Sequence, residues 1–224
     1  VANKVVKGKQ MTVTWHVDDL KVSHEDEAEL RKFAGFLREK YGENVVEHYG
    51  QVHDYLGVDM DYSEEGKVKI SMIKYLDGIL SDFSEDIGKS ANDPAADHLF
   101  QVRDEKEAKF LSEEKAQEFH HVVDQLLFLE NRARRDIQTA MAFLTTRVKN
   151  PDEDNWGKLR RVLKYLKGTK YMKLTLTVDD LSIVKWWVDA SDRTHHDLKG
   201  HTGSLMSLGS GAVVSGSRKQ KINV

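Results

Sequence analysis

An α+β fold is predicted, with sheet-forming stretches on either side of a helical middle. Three observations predict it. Residues 12–23 alternate β-branched and polar side chains around an Asp-Asp pair, residues 113–167 repeat apolar side chains at helical spacing, and short β-rich runs return after residue 172.

The first run, Thr-Val-Thr-Trp-His-Val-Asp-Asp-Leu-Lys-Val-Ser, reads as a hairpin with Asp18 and Asp19 at or near its tip. Ser23 then serves as N-cap of an amphipathic helix, with Asp26 three residues on as a near capping box. Leu30, Phe33, Phe36 and Leu37 form its apolar stripe, and Tyr41-Gly42 ends it. Residues 51–62 and 67–72 read as a second strand pair joined by Ser63-Glu64-Glu65-Gly66, and 73–83 as a short helix. Residues 86–112 are polar and hold Pro94, one of two prolines, as a linker or long surface loop would.

Beyond it, Phe119, Val122, Val123, Leu126, Leu127 and Leu129, then Ile137, Met141, Leu144 and Val148, keep a helical period until Asn150-Pro151 breaks it. A third helix over 152–166 turns Trp156, Leu159, Val162, Leu163 and Leu166 inward, with Gly168 as its C-cap. Strands follow at 172–178, 183–189, 202–208 and 212–217. The organisation expected is a β-rich part at 1–90, a linker at 91–112, a helical part at 113–170 and further strands at 171–224. No capping element stands at either end, which reads as a piece of a longer protein.

Composition narrows the chemistry. In 224 residues there is no cysteine, hence no disulfide, thiolate metal site or cysteine nucleophile. No apolar run approaches the roughly 20 residues of a membrane helix, and no signal-peptide core is visible, so an intracellular protein (cytoplasm or nucleus), not a secreted one, is expected. Ten histidines include no His-x-x-x-His pair, and the adjacent pairs His120-His121 and His195-His196 are poorly placed to share a metal. No nucleotide P-loop or nucleophile elbow is present.

The net charge of -3 hides an asymmetry. Residues 131–175 carry twelve Lys and Arg against four acids, a surplus of eight positive charges inside an otherwise acidic chain. Such a block is the footprint of a polyanion partner, or else a solvated helix face.

At the hairpin and the helical block, the sequence resembles a known family. His16-Val17-Asp18-Asp19 is similar to the Tyr-Val-Asp-Asp box of reverse transcriptases. The run from Leu126 to Ile137, the pair Asn150-Pro151 with Trp156, and Tyr165-Leu166-Lys167-Gly168-Thr169 resemble segments of the copia-type retrotransposon polyprotein. Tyr55-Leu56-Gly57-Val58 and Ser215-Gly216-Ser217-Arg218-Lys219-Gln220 resemble two more, in the family's order. His16 and Arg135 depart from it, standing where the family has an aromatic residue and a proline.

The resemblance implies a partial polymerase palm, a helical thumb and connection, and the opening strands of an RNase H-like domain. It implies RNA-directed DNA synthesis and RNA hydrolysis on an RNA/DNA primer-template with dNTP and Mg²⁺ or Mn²⁺. In that chemistry, paired divalent ions on carboxylates stabilise the attacking and leaving oxygens of an in-line displacement. Asp18, Asp19 and Asp189 are the matching catalytic and metal-ligating residues; Asp192 reads rather as part of a surface turn. Neighbours in a strand face opposite ways, so Asp18 and Asp19 alone are a poor chelate, and a solvated Asp-Asp turn is the competing reading.

Asp189 follows Trp186-Trp187-Val188, which reads as a buried strand and would make a carboxylate costly unless it is paired or on metal. Tyr55, Leu56 and Gly57 match the family's primer-end region, or are a strand with a Gly bulge. Arg132, Arg134, Lys158, Arg161, Lys164 and Lys167 are candidates for phosphate contacts, with a local ion-pair role open for Arg134 and Asp136. Trp156 and Trp186 read as core. The segment alone is expected to be inactive, and a non-enzymatic nucleic-acid-binding or decayed remnant is the alternative.

Overall fold

Tight turns build the first of two compact units, Val1–Met60 and Asp61–Val224, in a computed structural model that describes residues 1–42, 44–104 and 106–221. Glu105, inside the expected linker, and residues 222–224, in the last expected part, lie outside the described residues. The unit boundary after Met60 falls within the 1–90 stretch, where composition marks no break.

In the first unit, β1 (Ala2–Val6), β2 (Lys9–His16) and β3 (Asp19–Ser23) form an antiparallel sheet in that order. Lys7 and Gly8 join β1 to β2, both at positive φ (50° and 78°), the backbone that matches strand twist in two-residue hairpins.

Helix α1 (Glu27–Tyr41) is capped by Asp26, whose carboxylate accepts from the Ala28 N–H at 2.9 Å; this corrects the expected Ser23 cap. The reason is His24. Its Nε2 donates to the Val6 carbonyl at 3.2 Å and its Nδ1 accepts from the Asp26 N–H at 3.0 Å, which holds the chain in a turn until Asp26. Strands β4 (Val52–Tyr55) and β5 (Val58–Asp61) follow, joined by Leu56-Gly57. This unit buries little: Met11, Glu29 and Val58 are its buried side chains among the described residues.

The second unit holds the core. After β6 (Lys67–Ser71) come α2 (Ile73–Asp82), α3 (Glu113–Arg132), α4 (Gln138–Leu144) and α5 (Glu153–Gly168). Strands β7 (Leu174–Thr177), β8 (Lys185–Ser191), β9 (His201–Ser207) and β10 (Val214–Lys219) complete it. The helical period supplies the interior as expected: Phe119, Val123, Leu126, Leu129, Ile137, Met141, Leu144, Leu159, Leu163 and Leu166 are fully buried, with Leu76 and Ile79 of α2 beside them. Each such side chain contributes about 1.5–3 kcal/mol by leaving water.

Helix starts are chemically specified. Asp152 forms a full capping box with Asn155, and Ser112 caps α3. Trp156 is core as expected, stacked on Phe83 (5.2 Å between centroids) with its indole N–H on Glu85 at 3.1 Å. Strand β7 pairs antiparallel with β6, and β8, β9 and β10 form a meander with β9 central.

Gly168 is not the C-cap: α5 runs through it and ends at Thr169. Its lack of a side chain serves a close approach instead, since a Cβ there would lie 2.7 Å from the Ser90 Cβ. Ser90 belongs to the polar stretch 86–112, just before the expected linker. Among its described residues that stretch has no helix or strand of its own, apart from a bridge between Phe110 and Asp152, yet it is packed and not a free tether. Ile87 and Leu99 are buried, and α5 grips it from four positions. Arg160 donates to the Asp86 carbonyl (3.0 Å), Lys167 to Gly88 (3.0 Å) and Lys158 to Gln101 (2.6 Å), while the Lys164 carbonyl accepts from the Ala91 N–H (3.3 Å).

Candidate functional site

The β2–β3 hairpin places its two acids where the sequence expects them. His16 pairs with Asp19, so Val17 and Asp18 are the two-residue loop, and both carboxylates are exposed. Val17 sits at φ 53° and is 87% exposed. A β-branched residue in the left-handed region is strained by roughly 1–2 kcal/mol. Asp18 lies on the turn and Asp19 begins β3, so their carboxylates leave the backbone at successive positions and do not form a ready chelate.

Tyr55 ends β4, and Leu56 and Gly57 form a turn, not a strand with a bulge: Leu56 (φ 56°) and Gly57 (φ 73°) are both left-handed, and the Gly57 N–H donates to Asp54 Oδ1 at 3.2 Å. The sequence-expected single strand over 51–62 is thereby split into β4 and β5, because two consecutive left-handed residues reverse the chain.

Asp189 is exposed on β8, which corrects the buried strand expected from Trp-Trp-Val. Strand β8 is the edge of its meander, and Trp186, Trp187 and Val188 are 59%, 53% and 69% exposed, so Trp186 is not core. Asp189 pairs in register with Gly203 and lines a groove of about 710 Å³ with Trp187, Ser217, His201 and, from the helical layer, Arg135 and Gln138. Asp192 lies on the exposed bend after β8.

The basic block is largely spent inside the fold. Six of its twelve cations pair with carboxylates: Arg134 with Asp136, Arg135 with Glu130, Lys158 with Asp154, Arg160 with Glu85, Lys170 with Asp77 and Lys173 with Asp61. Two of the expected phosphate contacts are corrected by burial. Arg134 is 3% exposed and Lys158 is 7% exposed, with the Lys158 ammonium over the Phe143 ring at 4.5 Å. Arg132 stays exposed, stacked on Phe128 at 3.5 Å, and Lys167 is exposed while donating to Gly88. Arg161 and Lys164 are half-buried and have no carboxylate partner among the described residues.

Sequence reading missed one cluster. His195 Nε2 and His201 Nδ1 share a hydrogen bond at 3.0 Å, and His201 Nε2 meets Ser217 Oγ at 2.6 Å. Phe100 stacks on both rings. Burial pushes both imidazoles below their ordinary range; the charges of His201 and Lys219 lower His195 further, and Asp197 opposes them. The partner of His195 is thus His201, a contact between the loop after β8 and the first residue of β9 that the spacing of six does not announce. Glu130 is also buried, and desolvation raises its pKa against the pull of Arg135.

Asp18, Asp19 and Asp189 are hard oxygen donors of the type Mg²⁺ takes. Among the described residues, no group of three or more His, Asp or Glu side chains is placed to hold a metal, so these donors fit the ion in kind without forming its complete shell. No helix among the described residues is long and apolar enough to cross a membrane.

No family model matches the chain, and no solved structure matches it. Curated proteins do, among them two from transposons. The transposon Ty5-1 protein of Saccharomyces cerevisiae is 27% identical over 207 residues, 92% of this chain and 64% of that protein. The retrovirus-related Pol polyprotein from transposon TNT 1-94 of Nicotiana tabacum is 26% identical over 212 residues, 92% of this chain and 16% of that protein. The likeness to retrotransposon polyproteins therefore runs through nearly the whole chain and is not confined to its short motifs.

Proposed function

We propose that this homologue of retrotransposon polyproteins represents part of their RNA-directed DNA polymerase and RNase H region. The observation that carries the reading is the pair Asp18-Asp19 at the tip of a tight hairpin, in a chain similar to transposon proteins over 92% of its length. In this reading 1–90 contributes the later part of the palm, 113–170 the thumb and connection, and 171–224 the first strands of an RNase H-like fold. Its partners are a primer-template and dNTP, and Asp18, Asp19 and Asp189 approach Mg²⁺ or Mn²⁺. The ion's chemistry is stabilisation of charge on the phosphoryl oxygens, and the residues of this chain contribute hard donors on an exposed turn and an exposed strand.

Phosphate contacts in this reading fall to the cations left at the surface, Arg132 and Lys167 foremost, with Tyr55, Leu56 and Gly57 beside the primer end. The test is binding of a labelled RNA–DNA hybrid across a salt series. Affinity falling steeply with salt, by a slope that shrinks in Arg132→Gln, supports the reading; no binding at low salt removes it.

A second reading, a nucleic-acid-binding remnant without catalysis, is favoured by one observation. The donors at the hairpin tip are two, and they do not converge. Primer extension with Mg²⁺ separates the two readings. The segment alone is expected to be inactive in both, so the assay uses the full reading frame that contains it: synthesis that Asp18→Asn abolishes supports the polymerase, while hybrid binding without synthesis supports the remnant.

A further inference from the structure

The four grips between α5 and the 86–101 segment hold that segment off the helix along part of its length and leave a groove of about 710 Å³. This is within the size of small-ligand sites, roughly 300–1,000 Å³. The cations around it divide into two sets. Lys158 is consumed, by Asp154 at 2.7 Å and by the Gln101 carbonyl. Lys89, Arg103, Arg161 and Lys164 also line the groove, and none of them has a carboxylate partner among the described residues.

Arg161 is the telling member: its Nε is buried from solvent with no hydrogen-bond partner. A buried, unsatisfied donor on a cation costs more than a neutral one, and native folds leave few. The unmet Nε is itself covered by protein and out of a ligand's reach, but Arg161 is only half-buried and lines the groove, where a guanidinium favours an anion with two oxygens in the plane of its fork.

We infer that this groove is a binding site for a compact phosphate or pyrophosphate group of a small ligand, held by Arg161 and Lys164 with Lys89 and Arg103 at its other wall. Asp93 and Glu153 line the same groove. With the Lys158–Asp154 pair set aside, they reduce four cations to a surplus of two positive charges, which matches a small, doubly charged group. The site thus goes beyond the proposed function and does not rest on it: the ligand enters a concavity, whereas a duplex lies across a surface.

Isothermal titration calorimetry of the full chain with inorganic pyrophosphate tests this, with inorganic phosphate, a nucleoside monophosphate and the unphosphorylated nucleoside as further arms. Saturable binding of pyrophosphate is expected, with no binding of the bare nucleoside. Inorganic phosphate and the nucleoside monophosphate tell a free oxyanion ligand from a phosphoester. Arg161→Gln and Lys164→Gln are each expected to weaken binding at least tenfold, and Lys149→Gln, a surface lysine outside the groove, to leave it unchanged. If Arg161→Gln does not fold, Lys164→Gln decides. Absence of pyrophosphate binding, or equal affinity in the folded groove variants and the wild type, overturns the proposal. Stoichiometric displacement of pyrophosphate by a 5′-hydroxyl RNA–DNA hybrid also overturns it, since the groove would then be part of a nucleic-acid track.

Discussion

Arg134 and Asp136 form a two-pronged ion pair inside the helical unit, with Nε on Oδ1 at 2.9 Å and Nη2 on Oδ2 at 2.7 Å. The same guanidinium donates to the Thr169 carbonyl (3.2 Å) and hydroxyl (2.6 Å), so one side chain ties the turn after α3 to the end of α5. Residues 134 and 169 are 35 apart in sequence, and the pair stands on the border between structural and functional explanations of a conspicuous arginine.

Removing one member of a buried, hydrogen-bonded pair leaves the other charge uncompensated, at about 3–5 kcal/mol. Arg134→Ala is therefore expected to lower stability by about 3 kcal/mol in urea denaturation. Arg134→Lys should recover only part of it, because an ammonium cannot reproduce the fork. A loss of hybrid affinity at unchanged stability would instead assign Arg134 to phosphate binding.

The His195–His201 pair gives a pH dependence with a definite sign. Burial lowers both pKa values, so the folded state binds protons less readily than the unfolded chain, whose histidines titrate near 6.5. Stability from this pair is fully present above that value and is lost as pH falls through the folded values. One shared proton satisfies the two facing nitrogens, and a second protonation sets two N–H groups against each other. Thermal midpoints are expected to drop from pH 7 to pH 5, and to drop less in His201→Gln. Equal slopes in the two proteins would refute the linkage.

The hairpin loops offer a test of strain. Val17→Asn and Leu56→Asn replace side chains that resist positive φ by one that tolerates it, and the second creates Asn-Gly, the favoured pair for such a turn. Each is expected to stabilise the first unit by about 1 kcal/mol, read by amide hydrogen exchange of β2 and β3 for the first change and of β4 and β5 for the second. Faster exchange in the variants would show that the turns are not strained.

Core and surface should respond very differently. Leu163→Ala removes a fully buried side chain of α5 and is expected to cost about 2–5 kcal/mol. Phe36, half exposed on α1, should tolerate replacement by alanine at under about 1 kcal/mol. Guanidinium unfolding curves of the two variants make the comparison.

Legibility followed the range of the forces. The helices came from apolar spacing, because a helix is specified by residues three and four apart, and the turn at Asp18-Asp19 came from β-rich flanks, whereas both caps read from the sequence, Ser23 and Gly168, were displaced. The cap of α1 moved to Asp26 because His24 reaches back eighteen residues to Val6. A strand's burial was harder to read. Trp-Trp-Val predicts an interior strand, but burial depends on what covers it, and β8 lies at an edge.

By itself the sequence determined the alternation of sheet and helix, the apolar face of each long helix, the acids at the hairpin tip and the likeness to retrotransposon polyproteins. The tertiary structure decided the fate of the charges. Eight surplus positives in 131–175 could serve a polyanion or distant carboxylates, and composition is the same in either case. Only the fold brings Asp61, Asp77 and Glu85 to Lys173, Lys170 and Arg160, buries Arg134 and Lys158, and leaves Arg161 with an unmet donor. Coulomb attraction and desolvation act through space, over a few ångströms, between residues the chain order keeps far apart.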